Sequence, residues 1–226
     1  MLCLALLFVK EVMTLSDNTI NYPAKLTIDY PERLLNRLTS FFRIFTVIPI
    51  AIVISLLTSP GASWGHHTHN WSMGAASGVG ILFFSTLLMI VFQQKYPKWW
   101  FDWNLNITKF GARVLSYLTL VTDVYPSTDE EQAVHIDIPY PDVKKDLNRW
   151  YPIFKWFLAI PHYIVLAFLI FAATVCVVIA WFAILFTGRY PIGIFDFVIG
   201  VYRWGLRVGA YAFMLVTDKY PPFSLE

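Results

Sequence analysis

Charged residues are scarce in this chain of 226 residues. They make up 14% of it, against 57% hydrophobic residues, whereas soluble domains carry about 25% charged and roughly half apolar residues. No Asp, Glu, Lys or Arg occurs from Ile44 to Gln94 or from Trp156 to Gly188. Uncharged stretches of this length are typical of segments inside a lipid bilayer. The sequence therefore excludes an ordinary soluble domain and predicts an integral membrane protein.

Other features that the sequence lacks exclude further classes of protein. The formal net charge of +2 is too small to favour nucleic acid as a partner. The two cysteines, Cys3 and Cys176, provide neither a disulfide framework nor the spacing of a zinc site. The chain also lacks an HExxH motif, a Gly-rich phosphate loop and a Ser-His-Asp order. We therefore predict no cofactor and no enzymatic activity.

Short motifs recur in the same order in the two halves of the chain. Tyr30-Pro31-Glu32 returns as Tyr140-Pro141-Asp142, and Leu120-Val121-Thr122-Asp123 returns as Leu215-Val216-Thr217-Asp218. The remaining matched pairs are Arg43 and Pro49 with Lys155 and Pro161, Tyr96 and Asp102 with Tyr190 and Asp196, and Lys109 and Arg113 with Arg203 and Arg207. Ordered recurrence of this kind is the signature of an internal repeat. We predict tandem copies at residues 21–126 and 140–226.

The spacing of the motifs predicts a helical hairpin in each copy. Pro49 lies 112 residues before Pro161, whereas Tyr96 lies 94 residues before Tyr190, so the first copy holds 18 extra residues inside its apolar block. They fall near residues 59–78, which are rich in Gly, Ser and other loop formers. We therefore expect hairpins at 41–95 and 153–188, four membrane helices in all. Since the second block is short for two crossings, a re-entrant hairpin is the alternative there.

A third element follows each hairpin. Residues 104–122 and 198–217 are predicted to be amphipathic helices that are too short and too basic to span and lie on the cytoplasmic interface. The cations expected among lipid headgroups are Lys109, Arg113, Arg203 and Arg207, and the aromatic side chains expected at the same depth are Trp99, Trp100, Trp103 and Trp204. The fold predicted is an all-α membrane protein of two parallel repeats.

Lys and Arg flank both hairpins, and the loop near 59–78 has neither. By the positive-inside rule, both termini then face the cytoplasm in a multi-pass arrangement. Residues 1–20 are expected to form an N-terminal extension outside the copies. Residues 127–139 are expected to form an acidic linker exposed to solvent, with docking of a basic partner as the alternative.

Two segments resemble a known family. Ile160-Pro161-His162-Tyr163-Ile164-Val165-Leu166 and the run from Arg207 to Leu225 are similar to the bacterial domain-of-unknown-function 4389 family, strongly from about 140 to 225 and more loosely from about 28 to 126, where Ile50 replaces the histidine. The resemblance implies a small bacterial membrane protein, and we expect it in the inner membrane. It carries no activity or catalytic residue over to this chain.

A few polar side chains are candidates for chemistry. His66, His67 and His69 form the densest group of metal-ligating side chains, but they have no neighbouring Cys or carboxylate, so we predict no metal site. For His162 we expect a neutral histidine bonded to backbone, with a proton relay as the alternative. For Asp123 and Asp218 we expect capping and ion pairing with Arg113 and Arg207, with acid and base catalysis as the alternative.

These features favour a non-enzymatic accessory or scaffold subunit. Its expected partners are membrane lipids and either other membrane proteins or further copies of itself, with Gly200, Gly205 and Gly209 available for close packing. One alternative is a transporter or channel formed by an oligomer and lined by small hydroxyl side chains such as Thr46, Ser55, Ser85, Thr86 and Thr174. The other is a lipid-acting membrane enzyme that uses the aspartates.

Overall fold

The computed structural model describes residues 22–31, 35–58, 83–128, 130 and 132–226. Most of them are helical. The elements in chain order are β1 (Lys25–Ile28), α1 (Arg37–Thr58), α2 (Phe83–Gln93), α3 (Lys98–Leu118), β2 (Val134–Asp137), α4 (Val143–Asp146), α5 (Tyr151–Leu158), α6 (Ile160–Thr187) and α7 (Ile192–Ala212). The end of α2, Met89–Gln93, is wound as a π-helix. The predicted extension at 1–20 lies outside the described residues.

Helix α6 is the most apolar element. Its proline, Pro161, stands in the first turn, where a missing N–H breaks no helical hydrogen bond. Its end is set by Gly188, which adopts a left-handed conformation with φ 73° and donates its N–H to the carbonyl of Ile184. Within the part of the chain that the structure describes, α6 is the one helix long and apolar enough to cross a membrane.

The hairpin predicted at 153–188 is wrong. Helix α6 runs without a break from Ile160 to Thr187, through the middle of that range, where the turn of a hairpin would lie. No Gly or Pro occurs between His162 and Thr187, so nothing in the sequence interrupts the helix. Among the described residues, the structure therefore does not show the four membrane helices predicted from two hairpins.

The fold is not purely helical either. Strands β1 and β2 form an antiparallel pair in which Leu26 lies opposite Ile136. The side chains of Leu26, Ile28, Val134 and Ile136 point inward, and those of Lys25, Thr27, His135 and Asp137 are exposed. Because β2 lies within 127–139, that segment is part of the folded body and is not only a solvated linker.

The elements form three layers. The sheet is the first layer and contacts α3 through β2 and α7 through β1. Helices α3 and α7 form the second layer, and α1 and α6 pack against them as the third. Helix α7 is buried along most of its length, because it is covered by the sheet and by α6. The helices predicted at 104–122 and 198–217 correspond to α3 and α7, which begin six residues earlier in each case and end four and five residues earlier.

Candidate functional site

The outer surface of α6 is apolar and exposed. Only 22% of its most apolar 18-residue window is buried inside the protein. We use the name apolar face for six large side chains that are exposed on α6, which are Ile164, Phe168, Phe171, Ile179, Phe182 and Phe186. Phe168 is 73% exposed and Phe186 is 79% exposed. A contiguous apolar surface of this kind marks a contact with membrane or with another protein.

The residues predicted to meet lipid headgroups divide into two groups. Trp99 and Trp103 are exposed, and Trp100, Lys109 and Arg203 are partly exposed. Trp204, Arg113 and Arg207 are buried and bonded within the protein: Arg113 Nη1 donates to the carbonyl of Ser127 at 2.9 Å, and Arg207 Nη1 donates to that of Ser224 at 3.3 Å. Burial lowers the pKa of the Arg207 guanidinium, and the neighbouring Arg203 lowers it further. Only the first group is exposed to any extent, and within it Arg203 Nε donates to the carbonyl of Leu26 and Trp100 Nε1 donates to the hydroxyl of Thr86.

The two repeated aspartates accept hydrogen bonds at corresponding places. Asp218 forms an ion pair with Lys155, at 2.7 Å from Nζ to Oδ1, and accepts the backbone N–H of Asn148 at 2.7 Å. Asp123 forms an ion pair with Arg43 and accepts the backbone N–H of Asn36 at 2.8 Å. The predicted partners, Arg113 and Arg207, are therefore wrong. Asp218 instead joins the start of the α5–α6 segment to the chain that follows α7. Asp123 likewise joins the start of α1 to the chain that follows α3.

Lys155 is fully buried. Its ammonium donates to the carbonyl of Thr217 at 2.8 Å and lies 5.3 Å from the centre of the Tyr211 ring. Burial lowers the pKa of Lys155, and the hydrogen bond and charge of Asp218 oppose that shift. The carboxylate is therefore what keeps a positive charge at this place, because a buried ammonium without a partner loses its proton.

His162 is also fully buried. Its Nδ1 accepts the indole N–H of Trp204 at 3.1 Å, and its ring stacks on Phe223 with the centroids 4.0 Å apart. The expected bond to backbone is therefore replaced by a bond to an indole. The accepting role fixes the neutral tautomer with the proton on Nε2, and that atom has no partner among the described residues.

Two tyrosines tie the halves of the chain together. Tyr30 Oη donates to the carbonyl of Tyr190 at 2.6 Å, and Tyr140 Oη donates to that of Tyr96. The same two tyrosines pack their rings on Phe195 and Phe101 respectively. Each half thus donates one hydroxyl to the other half.

A cavity of about 740 Å³ lies between the layers. The sheet roofs it with Leu26, Ile28 and Ile136, helices α3 and α7 form its walls, and the middle of α6 from Leu166 to Val178 forms its floor. Its lining is almost wholly apolar. Residues of the sheet and of the middle of α6 thus line one cavity.

Two groups of residues proposed from the sequence remain, the histidines of a possible metal site and the hydroxyl side chains of a possible pore. His66, His67 and His69 lie outside the described residues, and the residues that are described hold no group of three metal-ligating side chains. Of the small hydroxyl side chains proposed for a pore, Thr174 donates to the carbonyl of Ile170 in its own helix and Thr86 accepts the indole N–H of Trp100.

The part of the chain that holds Lys155, His162, Trp204 and Asp218 is also the part that matches a known family. Residues 149–224 match the model of DUF4389, a domain of unknown function. The DUF4389 match spans α5, α6 and α7 and covers about a third of the chain, one copy of the predicted pair. No curated protein and no solved structure matches the chain.

Proposed function

We propose that this protein is a non-enzymatic accessory or scaffold subunit of the bacterial inner membrane. The observation that carries the proposal is the apolar face of α6, which leaves phenylalanines exposed along a helix of 28 residues. Side chains of this kind are stable in lipid or against the apolar surface of a membrane protein and not in water. The buried ion pairs join helix ends within the fold, so they support a structural role for the aspartates.

We further propose that the chain is a duplicated unit whose copies are related by a pseudo-two-fold axis. The exchanged hydroxyls of Tyr30 and Tyr140 support it, as do the paired ions of Asp123 and Asp218. Leu26 and Ile136 lie opposite each other in the sheet. They are 110 residues apart in the chain, and each stands four residues before the tyrosine of the Tyr-Pro motif in its own copy. An axis that passes between them accounts for all of these pairs.

Lipid headgroups are the proposed ligands of the exposed part of the second layer. Trp99 and Trp103 project from α3, and the partly exposed Lys109 and Arg203 supply the cations. Indole rings and cations together are typical of the region between hydrocarbon and water. Both termini are proposed to lie on the cytoplasmic side with them.

Purification from native membranes in mild detergent tests the subunit role. We expect the protein to elute with other membrane proteins or as a defined oligomer, and to leave the membrane fraction when Phe168, Phe171 and Phe182 are replaced by Ser. The matched control replaces Phe92 of α2, which is 71% exposed and lies outside the apolar face. A monodisperse lone monomer from native membrane would contradict the proposal.

The two alternative functions have separate tests. A transporter or channel predicts solute flux through liposomes that contain the purified protein. A lipid-acting enzyme predicts that Asp123→Asn and Asp218→Asn abolish turnover of a lipid and leave membrane assembly unchanged, whereas the ion pairs described above predict that assembly is what fails.

A further inference from the structure

We infer that the protein sits in one leaflet of the bilayer, with α6 lying along the membrane plane and the outer face of the sheet in water. The partner of the apolar face is then the hydrocarbon of a single leaflet. This inference rests on the proposed membrane location and replaces the multi-pass topology that the sequence predicts with a monotopic one.

The position of the sheet is the first reason. The chain from Tyr22 to Tyr30 follows the whole length of α7: Tyr22 Oη donates to the carbonyl of Arg207, Arg203 Nε donates to that of Leu26, and Tyr30 Oη donates to that of Tyr190. The same strands and the middle of α6, from Leu166 to Val178, line one cavity. The strands, α7 and α6 therefore lie side by side. If α6 crossed the bilayer, the sheet would lie near the bilayer centre.

The outer face of the sheet cannot lie in hydrocarbon. Lys25 and Asp137 are exposed there opposite each other, and Asp29 and His135 are 3.4 Å apart with side chains 71% and 51% exposed. A charged side chain at the bilayer centre costs about 2.5–3.5 kcal/mol on insertion scales. In addition, among the described residues each of the two strands pairs with another strand on one edge only, and open sheet edges do not occur in contact with lipid.

The exposed side of α3 gives a second, independent reason. The exposed residues of α3 include Trp99, Asp102, Trp103 and Asn106, which recur at helical spacing in its first half, and also Lys98, Leu115 and Leu118. Asn106 stands near the middle of the helix. If α3 crossed the bilayer, Asn106 would lie at hydrocarbon depth. If α3 lies in the membrane plane, the carboxylate of Asp102, the amide of Asn106 and the two indole rings all stay at headgroup level.

The length of α6 agrees with this orientation. Its 28 residues extend about 42 Å at 1.5 Å per residue, well beyond a hydrocarbon core of about 30 Å. In the membrane plane the length is unconstrained. The apolar face then lies on the side of the molecule away from the charged sheet, so one leaflet covers it and water covers the sheet.

Accessibility of single cysteines tests the inference. In full-length protein with Cys3→Ser and Cys176→Ser, we would introduce Asn148→Cys and Arg189→Cys, two exposed residues beyond the two ends of the α5–α6 segment. The backbone N–H of Asn148 donates to Asp218, and the backbone N–H of Arg189 donates to the hydroxyl of Thr187. Both substitutions leave these backbone hydrogen bonds in place. Asp137→Cys reports the sheet. Each variant is treated with a membrane-impermeant maleimide in right-side-out and in inverted vesicles.

We expect all three cysteines to react from the same side of the membrane. Reaction of Asn148→Cys and Arg189→Cys from opposite sides would overturn the inference and leave the membrane location intact. Release of the unmodified protein by alkaline carbonate, with no protein left in the bilayer, would instead contradict the proposed function itself.

A depth measurement gives a second readout. Bimane attached to Ile164→Cys, Phe171→Cys and Phe186→Cys reports three exposed points along α6, and lipids brominated at different acyl positions quench it according to depth. We expect the same depth at all three points. A profile with Phe171→Cys deep and both other labels shallow would show a crossing helix and overturn the inference.

Discussion

Lys155 and Asp218 form an ion pair in which the cation is completely buried and the carboxylate is 24% exposed. The pair closes the DUF4389 segment by joining α5 to the chain that follows α7. Arg43 and Asp123 make the corresponding pair in the first half, with the arginine 2% exposed. The burial of both cations makes the pairs sensitive to loss of the carboxylate.

We expect Asp218→Asn to lower the free energy of unfolding in detergent by about 3–5 kcal/mol. The reason is that the substitution leaves the buried ammonium of Lys155 without a counter-charge. Asp123→Asn is expected to act in the same direction. The control is Lys145→Gln, which removes an ion pair whose lysine is 82% exposed and should cost less than about 1 kcal/mol. Equal effects at Asp218 and Lys145 would contradict a structural role for the buried pair.

The lowered pKa of Lys155 predicts a pH dependence. Between that lowered pKa and the ordinary value of 10.5, the unfolded chain binds more protons than the folded chain, so the free energy of unfolding contributed by Lys155 rises with pH. We expect wild type to gain stability relative to Lys155→Met as pH increases toward 10.5, measured by denaturant titration at each pH. A difference that falls with pH would contradict the assigned direction.

The bond between His162 and Trp204 predicts coupled substitutions. Trp204→Phe removes the donor and leaves Nδ1 of a buried imidazole unsatisfied, which costs about 1–3 kcal/mol. His162→Ile should make the loss of the indole N–H less harmful, since the first half packs Ile50 with Phe110 and Val114. We expect a double-mutant cycle to give a coupling of about 1 kcal/mol. Strict additivity would mean that the hydrogen bond contributes nothing.

Two glycines of α7 are expected to respond with opposite signs. A Cβ at Gly200 would stand 2.8 Å from the carbonyl oxygen of Leu225 and 2.9 Å from its Cβ, so Gly200→Ala should cost about 1–3 kcal/mol. Nothing lies within 4 Å of a Cβ at Gly205, and Gly205→Ala should stabilise the helix by about 0.5–1 kcal/mol. Thermal unfolding of the two variants in the same detergent provides the comparison.

The sequence was informative where the signal is repeated or local. Matched motifs placed Asp123 and Asp218 at equivalent positions, and the structure gives them equivalent bonds. Their partners were not predictable in the same way, because Arg43 and Asp123 lie 80 residues apart. The nearer cations at Arg113 and Arg207 were the local choice, yet both are turned toward backbone carbonyls.

The sheet and the unbroken α6 helix were not predicted from the sequence, for two different reasons. Each strand has four residues, too few for alternation to stand out from chance. The hairpin was inferred by analogy with the loop-rich residues 59–78 of the first half, although the second half has no Gly or Pro at the expected turn. Local composition was the better guide there.

The crossed donation between Tyr30 and Tyr140 has a consequence for ancestry. A protein with a single copy of the unit would present one tyrosine hydroxyl and one acceptor carbonyl, and neither could be satisfied within the same molecule by the geometry seen here. Such a protein would complete the fold by pairing with an identical chain across the axis between Leu26 and Ile136. Joining two copies in one polypeptide makes that pairing independent of concentration, and it frees each copy to diverge, as His162 and Ile50 have done.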